Sequence, residues 1–179
     1  MIYKLNKFIL LFIIVALVTG CAMHIQTLYD HQTDFGHYKT FCWMSGCEFT
    51  ITGPAYLNDS LLRENIKKAI VTELNNKGLV LDNNNPDLLV SFNISVTNEE
   101  AIIYHREDET PYIRSFDATT EIVNYLQGSM VIGIADKKES KVVWESFANR
   151  YMELNPDLSK KNIIKGIHLI LKKFPPTKQ

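Results

Sequence analysis

The side chains able to do metal or acid–base chemistry are few and scattered: His24, His31, His37, His105 and His168, with Cys21, Cys42 and Cys47 as the thiols. His31 and His37 flank Asp34, and two imidazoles beside a carboxylate are a metal-ligating set when the chain brings them together. The plainer reading is a polar strand end with solvated side chains. His105 runs into Glu107, Asp108 and Glu109. That cluster suits weak divalent-cation binding, or, more simply, a solvated loop. His168 follows Ile167 in a helical pattern and reads as a partly buried helix residue. Phe41, Trp43 and Trp144 are either a ligand platform or, the favoured reading, packing residues. No HExxH, GxSxG or P-loop spacing occurs. No catalytic residue, metal ligand or cofactor is therefore expected, and the chain does not read as an enzyme.

The N-terminus carries a different kind of chemistry. Lys4 and Lys7 precede an unbroken apolar run from Phe8 to Val18. The run is shorter than the ~20 residues a helix needs to cross a bilayer, and fits the h-region of a secretory signal. It ends in Val18-Thr19-Gly20-Cys21, which resembles the lipobox of bacterial lipoproteins. The resemblance implies thioether lipidation of Cys21, cleavage after Gly20 and acylation of the new amino group. Each buried methylene contributes about 0.8 kcal/mol, so several acyl chains hold a protein on a membrane without a spanning helix. Ala22, rather than Asp, follows the cysteine, which resembles the sorting pattern of outer-membrane lipoproteins in enteric bacteria.

Residues 1–20 thus read as a signal peptide, 21–33 as a lipidated tether running into a first strand, and 34–179 as a single domain. With Lys4 and Lys7 gone, 17 basic and 20 acidic side chains remain, a formal charge of −3. No basic stripe is present, so nucleic acid is a poor partner. At 46 % apolar residues the chain can bury a core. Once Cys21 is set aside for lipid, Cys42 and Cys47 remain as a pair, and an oxidising envelope suits a short disulfide between them. Two free thiols, or redox or metal chemistry, are the alternatives; the C-x4-C spacing with no second Cys/His pair argues against the last.

These residues must be positioned by a small set of elements. Met23, Ile25, Thr27 and Tyr29 alternate weakly with polar neighbours, as in a strand. Leu62, Ile66, Ala69, Ile70 and Leu74 recur at helical spacing between a cap at Asn58 or Asp59 and a stop at Gly78. Val90, Phe92, Ile94 and Val96 predict a half-buried strand. Residues 98–118 read as a long loop or irregular hairpin. Thr119–Ala135 and Lys141–Met152 predict an antiparallel hairpin, with Leu126, Met130, Ile132 and Ile134 lining one face of the first strand and Val142, Trp144 and Ala148 one face of the second. Ser159 should cap a last helix with Ile163, Ile167, Ile170, Leu171 and Phe174 as its stripe; Pro175-Pro176 prevents continuation. The order β-α-β-(β)-β-β-α predicts an α+β fold, an antiparallel sheet with two helices packed on one face.

The segments together resemble the bacterial putative lipoproteins that carry the domain of unknown function numbered 4136. The matching pieces are Asp34-Phe-Gly-His-Tyr-Lys-Thr-Phe-Cys-Trp43, Leu74-Asn-Asn-Lys-Gly-Leu79, Asn85-Pro-Asp-Leu-Leu-Val90, Gly128-Ser-Met-Val-Ile-Gly-Ile-Ala-Asp136, Lys141-Val-Val-Trp-Glu-Ser-Phe-Ala148 and Ile167-His-Leu-Ile-Leu-Lys-Lys-Phe-Pro175. The acidic stretch at 105–109 and the Cys42/Cys47 pair depart from the pattern. The resemblance implies a lipid-anchored envelope protein and no known activity, so no functional residues carry over. The expectation is a non-catalytic binding or assembly module, held to the membrane through Cys21 and serving an envelope protein partner. A binder of a small apolar or lipidic ligand is the alternative, and an envelope enzyme ranks third.

Overall fold

The structure is a computed structural model; it describes residues 23–44, 51–57, 59–105 and 119–176. The strands are β1 (His24–Tyr29), β2 (Thr40–Trp43), β3 (Ile51–Thr52), β4 (Val80–Leu81), β5 (Leu88–His105), β6 (Thr119–Asp136) and β7 (Lys141–Met152); the helices are α1 (Ser60–Asn76) and α2 (Lys160–Leu171). The strands form one open sheet in the order β1-β7-β6-β5-β2-β4, with β3 also paired to β5. The fold is α+β, as the element order predicts.

The sheet is mixed rather than wholly antiparallel. β1, β7, β6 and β5 pair antiparallel. β2 pairs parallel with both β4 and β5, and β3 pairs parallel with β5. Parallel neighbours need a crossover, and α1 supplies it between β3 and β4. The short edge segments carry too little alternation to announce their direction.

Asp59 starts α1 by accepting from the Leu61 N–H at 3.1 Å. Asn58 lies outside the described residues. The helix ends where Gly78 turns to φ +89°, and the Leu79 N–H then reaches back to the Leu74 carbonyl at 3.1 Å. Only glycine takes that left-handed turn without a Cβ penalty. Ser159 precedes α2, but its hydroxyl makes no capping bond. Its own N–H is instead held by the Asp157 carboxylate at 2.9 Å.

Both helices lie on one face of the sheet. Ile66, Ile70 and Leu74 of α1, and Ile167, Ile170 and Leu171 of α2, join Val90, Phe92, Ile132, Ile134, Trp144 and Ala148 in one buried cluster. One correction concerns β7: Val142 is 55 % exposed while Val143 is buried. The β6–β7 pairing slips between Ile134 and Ala135, so that Ala135 faces Val142 and Ile134 faces Trp144. The bulge inserts Val143 and breaks the simple alternation.

The second finding concerns residues 98–105, read as a long loop or irregular hairpin: they continue β5 as one strand of a regular antiparallel pair. They pair residue by residue with β6 out to His105 opposite Thr119, without a register shift. β7 leaves β6 at Leu126 opposite Met152, and β3 leaves β5 at Ser95 opposite Thr52. Beyond those points, among the described residues, the two strands pair only with each other. They form a two-stranded arm about 25 Å long, at ~3.3 Å per residue. Its base is fixed by a small second core of Leu57, Val96 and Leu126.

Candidate functional site

The His31/Asp34/His37 set does not come together as a site. Asp34 accepts from the Gly36 N–H at 3.3 Å and so serves the short 3₁₀ turn Phe35–His37. The His31 ring rests on Tyr29, centroids 4.3 Å apart, and the His37 ring on Tyr38 at 4.0 Å. Among the described residues no group of three His, Cys, Asp or Glu side chains is placed to hold a metal. Positions 106–109 lie outside the described residues, as do Cys21 and Cys47; the lipid attachment and the disulfide pairing with Cys42 therefore fall there too. His168 is exposed and meets the Glu73 carboxylate at 3.2 Å, tying α2 to α1.

The aromatics are core. Phe41 and Trp144 are fully buried, and Trp43 packs against the same cluster. Their rings meet edge to face: Phe41 with Trp43 at 6.4 Å, Trp43 with Phe92 at 6.2 Å, and Trp144 with Phe174 at 5.3 Å. The helix stripes that a lipidic pocket would require are likewise spent on contact with the sheet. Thr27 Oγ1 in β1 and Trp144 Nε1 in β7 are buried without a hydrogen-bond partner among the described residues.

A polar network that sequence reasoning missed sits where β5 begins and β6 ends. Leu88 pairs with Asp136, which places Asp87 beside it. The Tyr38 hydroxyl donates to Asp136 Oδ2 at 2.7 Å, and the Glu139 N–H donates to Oδ1 at 2.7 Å. Asp87 Oδ2 accepts from the Lys39 and Thr40 N–H groups at 2.8 and 3.0 Å, while its own N–H reaches Thr40 Oγ1 at 3.0 Å. Asp87 thus pins β2 against β5. Burial alone would raise the Asp136 carboxyl, but the Glu139 N–H and the Tyr38 hydroxyl hold it below the ordinary value. Burial, then the bond to Asp136, pushes the Tyr38 hydroxyl well above its usual range. The pair is a neutral phenol donating to an ionised carboxylate, both buried. Such an arrangement locks strands together and presents little surface to a substrate. The signal available in the sequence was an Asp directly abutting an apolar strand at Pro86-Asp87-Leu88 and Ala135-Asp136.

The feature that faces solvent is the arm. Ile102, Ile103, Tyr104 and Ile122 are 56, 42, 69 and 62 % exposed. Ile102 pairs directly with Ile122, and Tyr104 follows on the same face. The arm leaves the sheet at the end where β1 begins, since His24 is level with Asn149 and Ser129.

An open mixed sheet with two helices on one face and a projecting two-stranded arm defines an α+β fold rather than a chemistry. The family model for the domain of unknown function DUF4136 matches residues 25–176, and the chain belongs to that family. No curated protein matches it. Among solved structures it is similar to a PDZ domain protein from Parabacteroides distasonis, at 22 % identity and TM-score 0.54, over 89 % of this chain. The chain spans only 37 % of that protein's length. Weaker likenesses are the PelC dodecamer from Paraburkholderia phytofirmans (10 % identity, TM-score 0.48, 84 % of this chain and 95 % of that one) and a putative neuraminyllactose-binding hemagglutinin homolog from Helicobacter pylori (12 %, 0.44, 84 % and 93 %). At these identities the likeness speaks for the fold alone.

Proposed function

We propose that this protein is a lipid-anchored envelope module without catalytic activity, attached through Cys21 to the outer membrane facing the periplasm, and docking a protein partner through the β5–β6 arm. The single observation that carries the docking role is the arm: a ribbon with apolar side chains in water and no neighbouring strand among the described residues. A two-stranded hairpin is marginal on its own in water, and exposed apolar clusters mark interaction surfaces. The anchor rests on the lipobox resemblance at Val18-Thr19-Gly20-Cys21. It is supported by the short distance in sequence from Cys21 to His24, at the end of the sheet from which the arm projects. No helix among the described residues is long and apolar enough to cross a membrane.

The test is intact mass of the protein extracted from envelopes, wild type against Cys21→Ala, without reductant. Residues 21–179 plus acyl chains, lost in the variant, is the expected result; a mass lower by two hydrogens would also report the Cys42–Cys47 disulfide. A full-length unmodified chain, or one released freely into the soluble fraction, overturns the anchor. Recovery of the same partners with Ile102→Lys/Ile103→Lys as with wild type overturns the arm as docking element.

A further inference from the structure

Every strand edge is a row of unpaired backbone donors and acceptors, and proteins blunt exposed edges with Lys, Pro, bulges or covering segments. Among the described residues, β5 beyond Val96 has no Lys, Pro, bulge or covering strand, and its only charged side chains are Glu99 and Glu100. Residues 97–105 read Thr-Asn-Glu-Glu-Ala-Ile-Ile-Tyr-His, without Lys, Arg, Pro or Gly. Their pairing with β6 is regular to the end. About half of the backbone groups of such a strand point away from its partner, toward the open edge. The β6 edge is the lesser candidate: among the described residues it pairs with no strand but β5 only from Thr119 to Tyr125, and Tyr125 is already in edge-to-face contact with Tyr151, centroids 5.4 Å apart.

We infer that the β5 edge of the arm pairs antiparallel with the same edge of a second copy of this chain, about a two-fold axis at Ile102. A two-fold contact demands a strand complementary to itself. Because side chains alternate between faces, only registers that pair positions of like parity keep each face intact. Centring on Ile102 sets Ile102 against Ile102, Ala101 against Ile103, and Glu100 against Tyr104. Apolar meets apolar at the centre, carboxylate meets phenol outside it, and no Glu opposes a Glu, an arrangement that would be destabilising. The two ribbons merge into four strands, beyond the length at which a hairpin stands alone. A lipid surface suits the arm less well, since its charges at Glu99, Glu100 and Glu121 are all acidic and anionic headgroups would repel them.

This inference rests on the proposed reading only in taking the arm as the docking element. The experiment uses the full chain in cells. Ile102→Cys, oxidised with a copper–phenanthroline reagent, should give a non-reduced species of twice the chain's mass. The yield should be several-fold above that of wild type and of Lys161→Cys, an exposed position on α2. Detergent-extracted wild type should be dimeric by light scattering, and Ile102→Lys/Ile103→Lys monomeric with an unchanged circular dichroism spectrum, since both positions lie outside the core. A conjugate of another mass would identify a foreign strand and overturn the second copy while sparing the docking role. Wild type that stays monomeric, with Ile102→Cys no better than Lys161→Cys, overturns the inference. Failure of the Cys21 anchor would appear in fractionation and leave these readouts unaffected.

Discussion

Replacing Tyr38 with Phe removes one oxygen and leaves the ring in place, so it isolates the hydroxyl–carboxylate bond that ties the segment before β2 to the end of β6. Tyr38 is 6 % exposed and Asp136 7 %, and their bond is 2.7 Å long. A hydrogen bond to a charged group contributes about 1.5–3 kcal/mol, and the upper part of that range applies when a buried carboxylate is left under-satisfied. Asp136 keeps the Glu139 N–H on its other oxygen, which limits the loss to about 2 kcal/mol. For a chain of this size that corresponds to a fall in Tm of roughly 4–8 °C, read by thermal circular dichroism. The pH dependence follows from the direction of the Asp136 shift. A carboxyl held below its ordinary value contributes stability that is present above the unfolded pKa and is lost as pH falls through the folded one. The variant lacks part of that depression, so its deficit against wild type should be largest near neutrality and should shrink as Asp136 protonates below about pH 4. A deficit under about 0.5 kcal/mol at neutral pH, the range of an ordinary surface change, or one that grows on acidification, would refute the lock.

The remaining expectations concern other parts of the fold. Gly53→Ala should destabilise more than Gly78→Ala in urea melts: both need a positive φ, but a Cβ at Gly53 would meet the Val96 carbonyl oxygen at 2.8 Å, whereas at Gly78 nothing lies within 4 Å. Gly78→Ala should then cost only the left-handed penalty of about 1 kcal/mol. Leu126→Ala, at the fully buried base of the arm, should cost about 2–5 kcal/mol and raise hydrogen exchange along residues 97–105 first. Thr27→Val should be neutral or raise Tm, because it removes a buried hydroxyl that makes no hydrogen bond. Asp30 should titrate at about 2, held down by the Lys141 ammonium at 2.6 Å and the Gln32 N–H; Lys141→Ala should return it toward 3.8, followed by NMR titration.

Where hydrophobic period and punctuation coincide, the fold is legible from residue types alone. The α1 stripe, its stop at Gly78, the α2 stripe and the β6 face are each set by local rules, since a 3.6-residue or 2-residue repeat has one way to bury itself. The α+β class follows from the order of those elements. Strand direction at β2, β3 and β4 does not: two to four residues carry no directional signal, and their parallel sense is decided by where α1 returns the chain. The bulge that buries Val143 in place of Val142 is likewise a property of pairing, invisible in one strand read alone.

The candidate site divides in the same way. The resemblance of Val18-Thr19-Gly20-Cys21 to a lipobox is local and can be read from the sequence alone; the anchor it implies is the proposal above. The Tyr38–Asp136 bond joins positions 98 apart in the chain, and no spacing rule connects them; only the pairing of Leu88 with Asp136 brings that corner together. The arm was obscured because Ile102, Ile103 and Tyr104 are consecutive apolar residues among acids, which breaks the two-residue alternation of a half-buried strand. With the Ile102/Ile122/Tyr104 face exposed and the other only half-buried, no strict alternation is required, and the backbone ladder to β6 decides that these residues form a strand. The sequence determined the elements with a buried face. The tertiary structure decided strand sense, the polar lock and the exposed arm, because each depends on contacts between residues that are distant along the chain.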